Sequence, residues 1–242
     1  MQDLKLSIAN LYPKELNLFS DSGNIVVLKE RCSWHGINVD VDTVNIDDEL
    51  TAHDLYFICG GNPEQQKKVS KDLVKKADFY RSEKENGKVF LGIDGGYRLL
   101  GKSYQSGNDE VLEALGLLDI YTVVGKKRFC GNVTAQTELI SENILVGFEN
   151  HDDLTYINGD TKPLAIVDIG FGNNGEDKTE GAYCKNVFGT YLHGPFLAQN
   201  PCFADYLIKL ALQNKYNEEI YLSDLDDVIE IKNREVLINK SY

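Results

Sequence analysis

Apolar and polar residues recur with two different periods along this chain, and the balance between them shifts near the middle. Leu4 to Ala9 is a short alternating run. From Ser22 to Gly36 the pattern is helical: Ile25, Leu28 and Cys32 recur at helical spacing, Lys29, Glu30 and Arg31 form a polar side, and Gly36 ends it. Ile37 to Val44 returns to period two and reads as a strand. Leu55 to Cys59 and Val89 to Ile93 are short, mostly continuous apolar runs, each followed by glycines. They flank a polar amphipathic helix over Glu64 to Arg81. Continuous apolar runs are what strands buried on both faces look like. Strand and helix in alternation predict an α/β fold, a doubly wound, mostly parallel sheet with helices on both faces.

The second half reads differently. From Ile120 to Val187 the pattern predicts many short strands punctuated by glycines, which add antiparallel strands to the fold. Asn158-Gly159 carries a hairpin signal. Gly170 to Gly181, with Asn173-Asn174 and the charged Glu176, Asp177, Lys178 and Glu180, reads as a solvated functional loop. Helices are expected near Ala204 to Lys215 and Leu225 to Leu237. No repeat, low-complexity tract or linker divides the chain, so residues 1–242 are read as one domain.

Composition narrows the function classes. With 42% hydrophobic and 26% charged residues the chain is of ordinary globular make-up, long enough to bury a core. A net charge of −13 repels phosphate backbones and anionic lipid, which argues against nucleic acid and membrane surfaces as partners. No apolar run has the ~20 residues of a membrane helix, and Met1 to Asn10 lacks the pattern of a secretory signal. The five cysteines are odd in number, widely spaced and without a C-x-x-C pair, so reduced thiols in a cytoplasmic protein are expected, with no zinc knuckle.

Candidate chemistry gathers at two points. Gly92-Ile93-Asp94-Gly95-Gly96-Tyr97 follows an apolar strand and opens a helix, the pattern of a nucleophile elbow. Asp94 sits at its apex, where serine or cysteine is usual. The alternative is that Asp94 merely caps the helix. His193 follows the apolar run Asn186 to Leu192 and precedes Gly194-Pro195, a placement suited to a general base. Gly96 to Ser103 also matches the phosphate-loop pattern literally. Its interior is apolar and helix-like, however, and the polar loop Tyr104 to Asp109 stands where the helix should begin, so nucleotide binding is not expected there.

Several separated segments now line up in order. They are Leu16-Asn17-Leu18 with Asp21-x-Gly23-Asn24-Ile25, Gly60-Gly61 with Gln66, Gly95-Gly96-Tyr97-x-Leu99-Leu100-Gly101, Arg128, Gly147 to His151, Gly172-Asn173-Asn174, and Lys185-Asn186 through Gly194-Pro195. Over nearly its whole length the chain resembles class I glutamine amidotransferases of the cobyric-acid-synthase-like branch, and within it the glutaminase (GatD-type) subunits of lipid II isoglutaminyl synthases. The resemblance implies a flavodoxin-like amidotransferase domain in which an elbow cysteine attacks the glutamine side-chain amide. It implies His193 as the base, Arg128 as a holder of glutamine, and Gly60 and Gly61 as the oxyanion loop. It further implies ammonia transfer, in a heterodimer, to a Mur-ligase-like (MurT-type) subunit that amidates the D-glutamate of the peptidoglycan stem. No cofactor and no metal are implied.

Three departures from that family pattern stand out. Asp94 replaces the cysteine, Cys59 replaces a glycine of the oxyanion loop, and Asp152-Asp153-Leu154 replaces Gly-Gly-Arg. Aspartate nucleophiles serve glycosyl, alkyl and phosphoryl transfer, and on an amide they would form an anhydride. The expectation is a subunit that has lost its own glutaminase activity. The alternatives are a catalytically dead scaffold or regulator of the ligase, a cobyric-acid-synthase-like amidotransferase, an Asp-nucleophile hydrolase, or a domain that binds some small ligand. Cys59 is either a substitute nucleophile or a small buried residue. Asp94 and His193 are expected to meet in a charge-assisted hydrogen bond, direct or through water.

Overall fold

The computed structural model describes residues 3–17, 22–105 and 110–240. Leu18 and Asp21 of the family-like segments, and residues 106–109 of the polar loop, lie outside them. The chain runs β1 (Lys5–Leu11), α1 (Gly23–Trp34), β2 (Asn38–Val44), β3 (Leu55–Ile58), α2 (Pro63–Lys75), α3 (Ala77–Glu85), β4 (Val89–Ile93) and α4 (Gly95–Leu100). It continues through β5 (Ser103–Gln105), β6 (Val111–Glu113), β7 (Ile120–Gln136), β8 (Ile144–Ile157), β9 (Ala165–Ile169), β10 (Thr179–Glu180), β11 (Ala182–Cys184) and β12 (Val187–Thr190). Three helices end it: α5 (Phe196–Gln199), α6 (Pro201–Tyr216) and α7 (Val228–Lys240).

The first sheet has the order β11-β12-β4-β3-β1-β2, parallel except for β11. Every residue of β3, β4 and β12 is buried, which is why these strands read as unbroken apolar runs. Edge strand β2 instead alternates half-buried Val39 and Val41 with exposed Asp40 and Asp42, charges that discourage pairing with another chain. Helices α1 and α6 pack on each other, and α6 also lies on β1 and β4. Among the described residues no helix is long and apolar enough to cross a membrane.

The second sheet, β10-β9-β7-β5-β6 with β8 paired to β7, is antiparallel except for the β5–β7 contact. Here three local expectations are corrected. The region is dominated by two long strands, the 17-residue β7 and 14-residue β8, rather than by short ones. Their alternating burial is interrupted by exposed Lys126, Lys127 and Arg128 at a bulge between Val124 and Phe129, and such breaks make one strand look like several. Asn158-Gly159 makes a turn, with Gly159 at φ +59°, but β8 and β9 both pair with β7 and so form no hairpin with each other. The helix expected over Glu64 to Arg81 is two helices, α2 and α3, joined at Lys76.

Candidate functional site

Register places the site. Ile58 pairs with Gly92 and Ile93 with Thr190, so β3, β4 and β12 end together, and the segments leaving them emerge from one sheet edge. These are Cys59-Gly60-Gly61, Asp94, and Tyr191 to His193.

Asp94 is the elbow residue in geometry as well as in sequence. Its backbone stands at φ +53°, ψ −117°, and its amide is held by the Thr190 carbonyl at 2.9 Å. The turn works because glycines surround it. A Cβ on Gly96 would collide with the Ile58 carbonyl, one on Gly92 would lie 2.8 Å from the Gly96 carbonyl oxygen, and one on Gly60 would collide with the Asp94 carboxylate. Asp94 occupies the N-cap position of α4, but its side chain makes no capping hydrogen bond. The carboxylate faces Gly60 and His193 instead, so the plain capping reading is set aside.

His193 and Asp94 come together, both more than nine-tenths buried. The separation is 3.9 Å between Nε2 and Oδ1, the distance of an ion pair, which brings the two side chains together as expected without a direct hydrogen bond between these atoms. His193 is carried on a fixed turn. Its amide donates to the Phe148 carbonyl at 2.9 Å, a single bridge joining the two sheets. Beyond Gly194-Pro195, the amide of Leu197 donates to Asn24 Oδ1, and the Asn200 side chain bonds Val146 and Phe196.

The glycine loop is held from the other side. Asn62 and Gln65 form a reciprocal capping box at the start of α2, and Gln66 donates to the Gly61 carbonyl. A Cβ on Gly95 would stand 2.6 Å from Gln66 Nε2. The Cys59 thiol donates to the Leu16 carbonyl at 2.6 Å and is buried, which fits a packing residue of the loop. The phosphate-loop match falls apart here: Gly95–Leu100 is helix α4, and Lys102 pairs with Asp119 at 2.7 Å.

Arg128 lies at the β7 bulge, exposed, its Nε donating to Asn150 Oδ1 at 2.7 Å. Opposite that stretch, His151 pairs in register with Phe129 and stacks on Tyr191 at 3.8 Å. Burial pushes the His151 pKa down to about 3, with the charges of Arg98, His193 and Arg128 adding to the effect, so this second imidazole is neutral. The same charges show that the elbow, His193, and the ribbon bearing Arg128 are electrostatic neighbours.

Two features escaped the sequence reading. Arg98, one helical turn beyond Asp94, reaches Asp153 of β8 through Nη1 at 2.7 and 2.8 Å to the two oxygens. The pair lines a cleft of about 130 Å³ with Gln66, Tyr104 and Asp152. Burial pushes Asp153 up to about 6; the Arg98 charge opposes this and that of Asp94 adds to it. The only sequence signal was the i, i+4 spacing from the elbow.

The second is Glu180. The Gly170 to Gly181 segment is solvated at Gly175 to Lys178, as expected, but Asn173, Asn174 and Glu180 are buried. Tyr97 donates to Asn173, and the amides of Phe171 and Gly172 donate to the Glu149 carboxylate. Glu180 Oε1 accepts from Thr190 Oγ1 at 2.6 Å and from the Tyr191 amide at 3.0 Å, directly behind the strand that carries His193. Burial pushes its pKa up to about 7 against those hydrogen bonds. A carboxyl raised in the fold contributes stability that is full below its unfolded value near 4.5 and is lost as pH rises through about 7. Relative to Glu180→Gln, the native protein should lose roughly 3 kcal/mol between pH 4.5 and pH 8. Urea denaturation of both proteins across that range checks it; parallel pH curves would refute it.

The comparisons with known proteins agree with this geometry. Residues 7–201 match the CobB/CobQ-like glutamine amidotransferase domain. The chain belongs to that family. Subunit GatD of the glutamine-hydrolyzing lipid II isoglutaminyl synthase of Staphylococcus aureus (strain N315) is 37% identical over 239 residues, covering 98% of this chain and 96% of the relative. The Streptococcus pneumoniae (strain ATCC BAA-255 / R6) subunit of the same name is 37% identical over 228 residues, covering 93% and 87%. A crystal structure of a glutamine amidotransferase superposes with a TM-score of 0.59 at 18% identity, over 84% of this chain and 98% of that one, which supports the fold.

Proposed function

We propose that this chain is the amidotransferase-fold subunit of a lipid II isoglutaminyl synthase-like complex in the cytoplasm, and that it no longer hydrolyses glutamine itself. The whole chain serves as one domain, docked on a Mur-ligase-like subunit. Asp94 and His193 occupy the nucleophile and base positions, Gly60 and Gly61 the oxyanion loop, and Arg128 the rim where glutamine's charged end would be held.

The observation that carries this reading is a complete elbow with the wrong side chain: glycine cradle, positive-φ apex and histidine at 3.9 Å, but a carboxylate for a nucleophile. A thiolate attacks an amide and leaves a thioester that water can hydrolyse. A carboxylate is a weak nucleophile toward an unactivated amide, and the product is an anhydride. The two relatives named GatD, matched over almost their whole length, support the assignment to a two-subunit enzyme.

Co-expression with the cognate Mur-ligase-like subunit, followed by size-exclusion chromatography, tests the assembly. A co-eluting heterodimer, weakened by high salt as expected for a subunit of net charge −13, is the expected result. A lone monomer beside a folded ligase would sink it. A covalent adduct on Asp94, seen by mass spectrometry as an alkyl ester after incubation with an alkyl substrate or as an acyl anhydride after incubation with an ester, would instead assign an Asp-nucleophile hydrolase.

A further inference from the structure

Two close pairs of ionisable side chains, Asp94 with His193 and Arg98 with Asp153, meet at α4, where Asp94 and Arg98 stand one helical turn apart on the same face. Asp94, Arg98, Asp153 and His193 expose only 8, 15, 3 and 5% of their side-chain surface. Two buried carboxylates close to one histidine are costly unless a cation offsets them. Arg98 is that cation. It lies on α4, whose first turn is set by Asp94 through the Arg98 amide bonded to the Asp94 carbonyl at 3.3 Å. Its guanidinium is clamped by Asp153 and sits 5.8 Å from the Tyr104 ring centroid, so it is not free to swing into solvent.

We infer that Arg98 is a positioning residue for the elbow, the counter-cation of whatever anion stands at position 94, and that Asp153 sets how much of that positive charge position 94 receives. The electrostatics run the same way. Burial works against the Arg98 charge, but the carboxylates of Asp153 and then Asp94 override it and hold the guanidinium above its ordinary pKa. Other groups also face position 94. His193 does so from the turn after β12, and Tyr191 feels the Asp94 charge. His151, on β8, feels the charges of Arg98 and His193, and that of Arg128 on β7. Of these, Arg98 is the buried permanent cation nearest along the chain. This inference does not depend on what the protein binds or on whether it is part of an amidating complex.

The test puts a reporter at the elbow. In Asp94→Cys protein, the rate of iodoacetamide alkylation at residue 94 is followed against pH by peptide mass spectrometry. Site resolution is needed because Cys130 is exposed and Cys202 half-buried. Adding Arg98→Gln should raise the pH midpoint and slow alkylation at pH 7 by about tenfold, one pKa unit being tenfold in thiolate. Adding Asp153→Asn, which keeps the side-chain volume, should lower the midpoint and speed alkylation about threefold or more. Opposite shifts from two partners of one ion pair are not what loosened packing produces, since both variants loosen the same contact. If Arg98→Gln does not fold, Asp153→Asn decides alone. A midpoint that stays put, or moves up, in folded Asp153→Asn protein overturns the inference.

Discussion

Purified protein given glutamine should release no ammonia above the buffer blank. In enzymes whose nucleophile and base act as a unit, removing the nucleophile costs on the order of 10⁴- to 10⁶-fold in rate. The Cys59 thiol is not expected to make up that loss, since it is buried and donates to the Leu16 carbonyl. Asp94→Cys should restore a measurable rate, at least ~10²-fold above the native protein, because the rest of the machinery is placed. His193 stands 3.9 Å from the side chain at position 94, and the Gly60 backbone lies directly against it. A coupled ammonia assay on both proteins, with the ligase subunit present and absent, checks this. Steady hydrolysis by the native protein would end the inactive-subunit reading. A folded Asp94→Cys protein that stays silent would mean that the glycine loop no longer offers its amides to an oxyanion.

Replacing Arg31 by alanine should destabilise the protein by about 3–5 kcal/mol, the cost of removing one partner from a buried ion-pair cluster. Arg31 is 2% exposed. Its guanidinium grips both oxygens of Asp205 at 2.6 Å and both of Asp227 at 2.7 and 3.0 Å. It thereby ties α1 to α6 and to the segment leading into α7. Without it the carboxylates of Asp205 and Asp227 lose the cation they share. Guanidinium-chloride unfolding measures the loss. Limited proteolysis should show earlier cleavage beyond Ile220, where the chain depends most on this clasp. A change under 1 kcal/mol would show that the cluster contributes no more than a surface pair.

The parallel half of the fold was legible because its strands are buried on both faces and its helices on one, and each burial pattern leaves a distinct period. The elbow and the His193 turn were legible for a local reason: glycines and a proline must stand where backbone bends or passes closely. What stayed hidden depends on partners far away in sequence. Arg98 looks like any polar helix residue until Asp153, 55 positions on, is seen to hold it. Glu180 looks like one more charge in a loop until Thr190 and Tyr191 enclose it. The long ribbon was misread as short strands because its bulge breaks the period. Asn158-Gly159 was misread because a turn residue pair fixes the bend of the chain but not which strand the next one will join.

The bridge from Phe148 to His193 has a consequence for how such a site diversifies. One half of the site, the elbow and glycine loop, is locked by the register of three parallel strands. The other half, carrying Arg128 and His151, lies on the β7–β8 ribbon of the second sheet, which meets the turn after β12 at that bridge. A bulge already absorbs extra residues between Val124 and Phe129, so insertions there lengthen the rim without disturbing the pairing on either side. The architecture is modular. An edit to the ribbon at that bulge changes the rim while leaving in place the strained turn that holds residue 94.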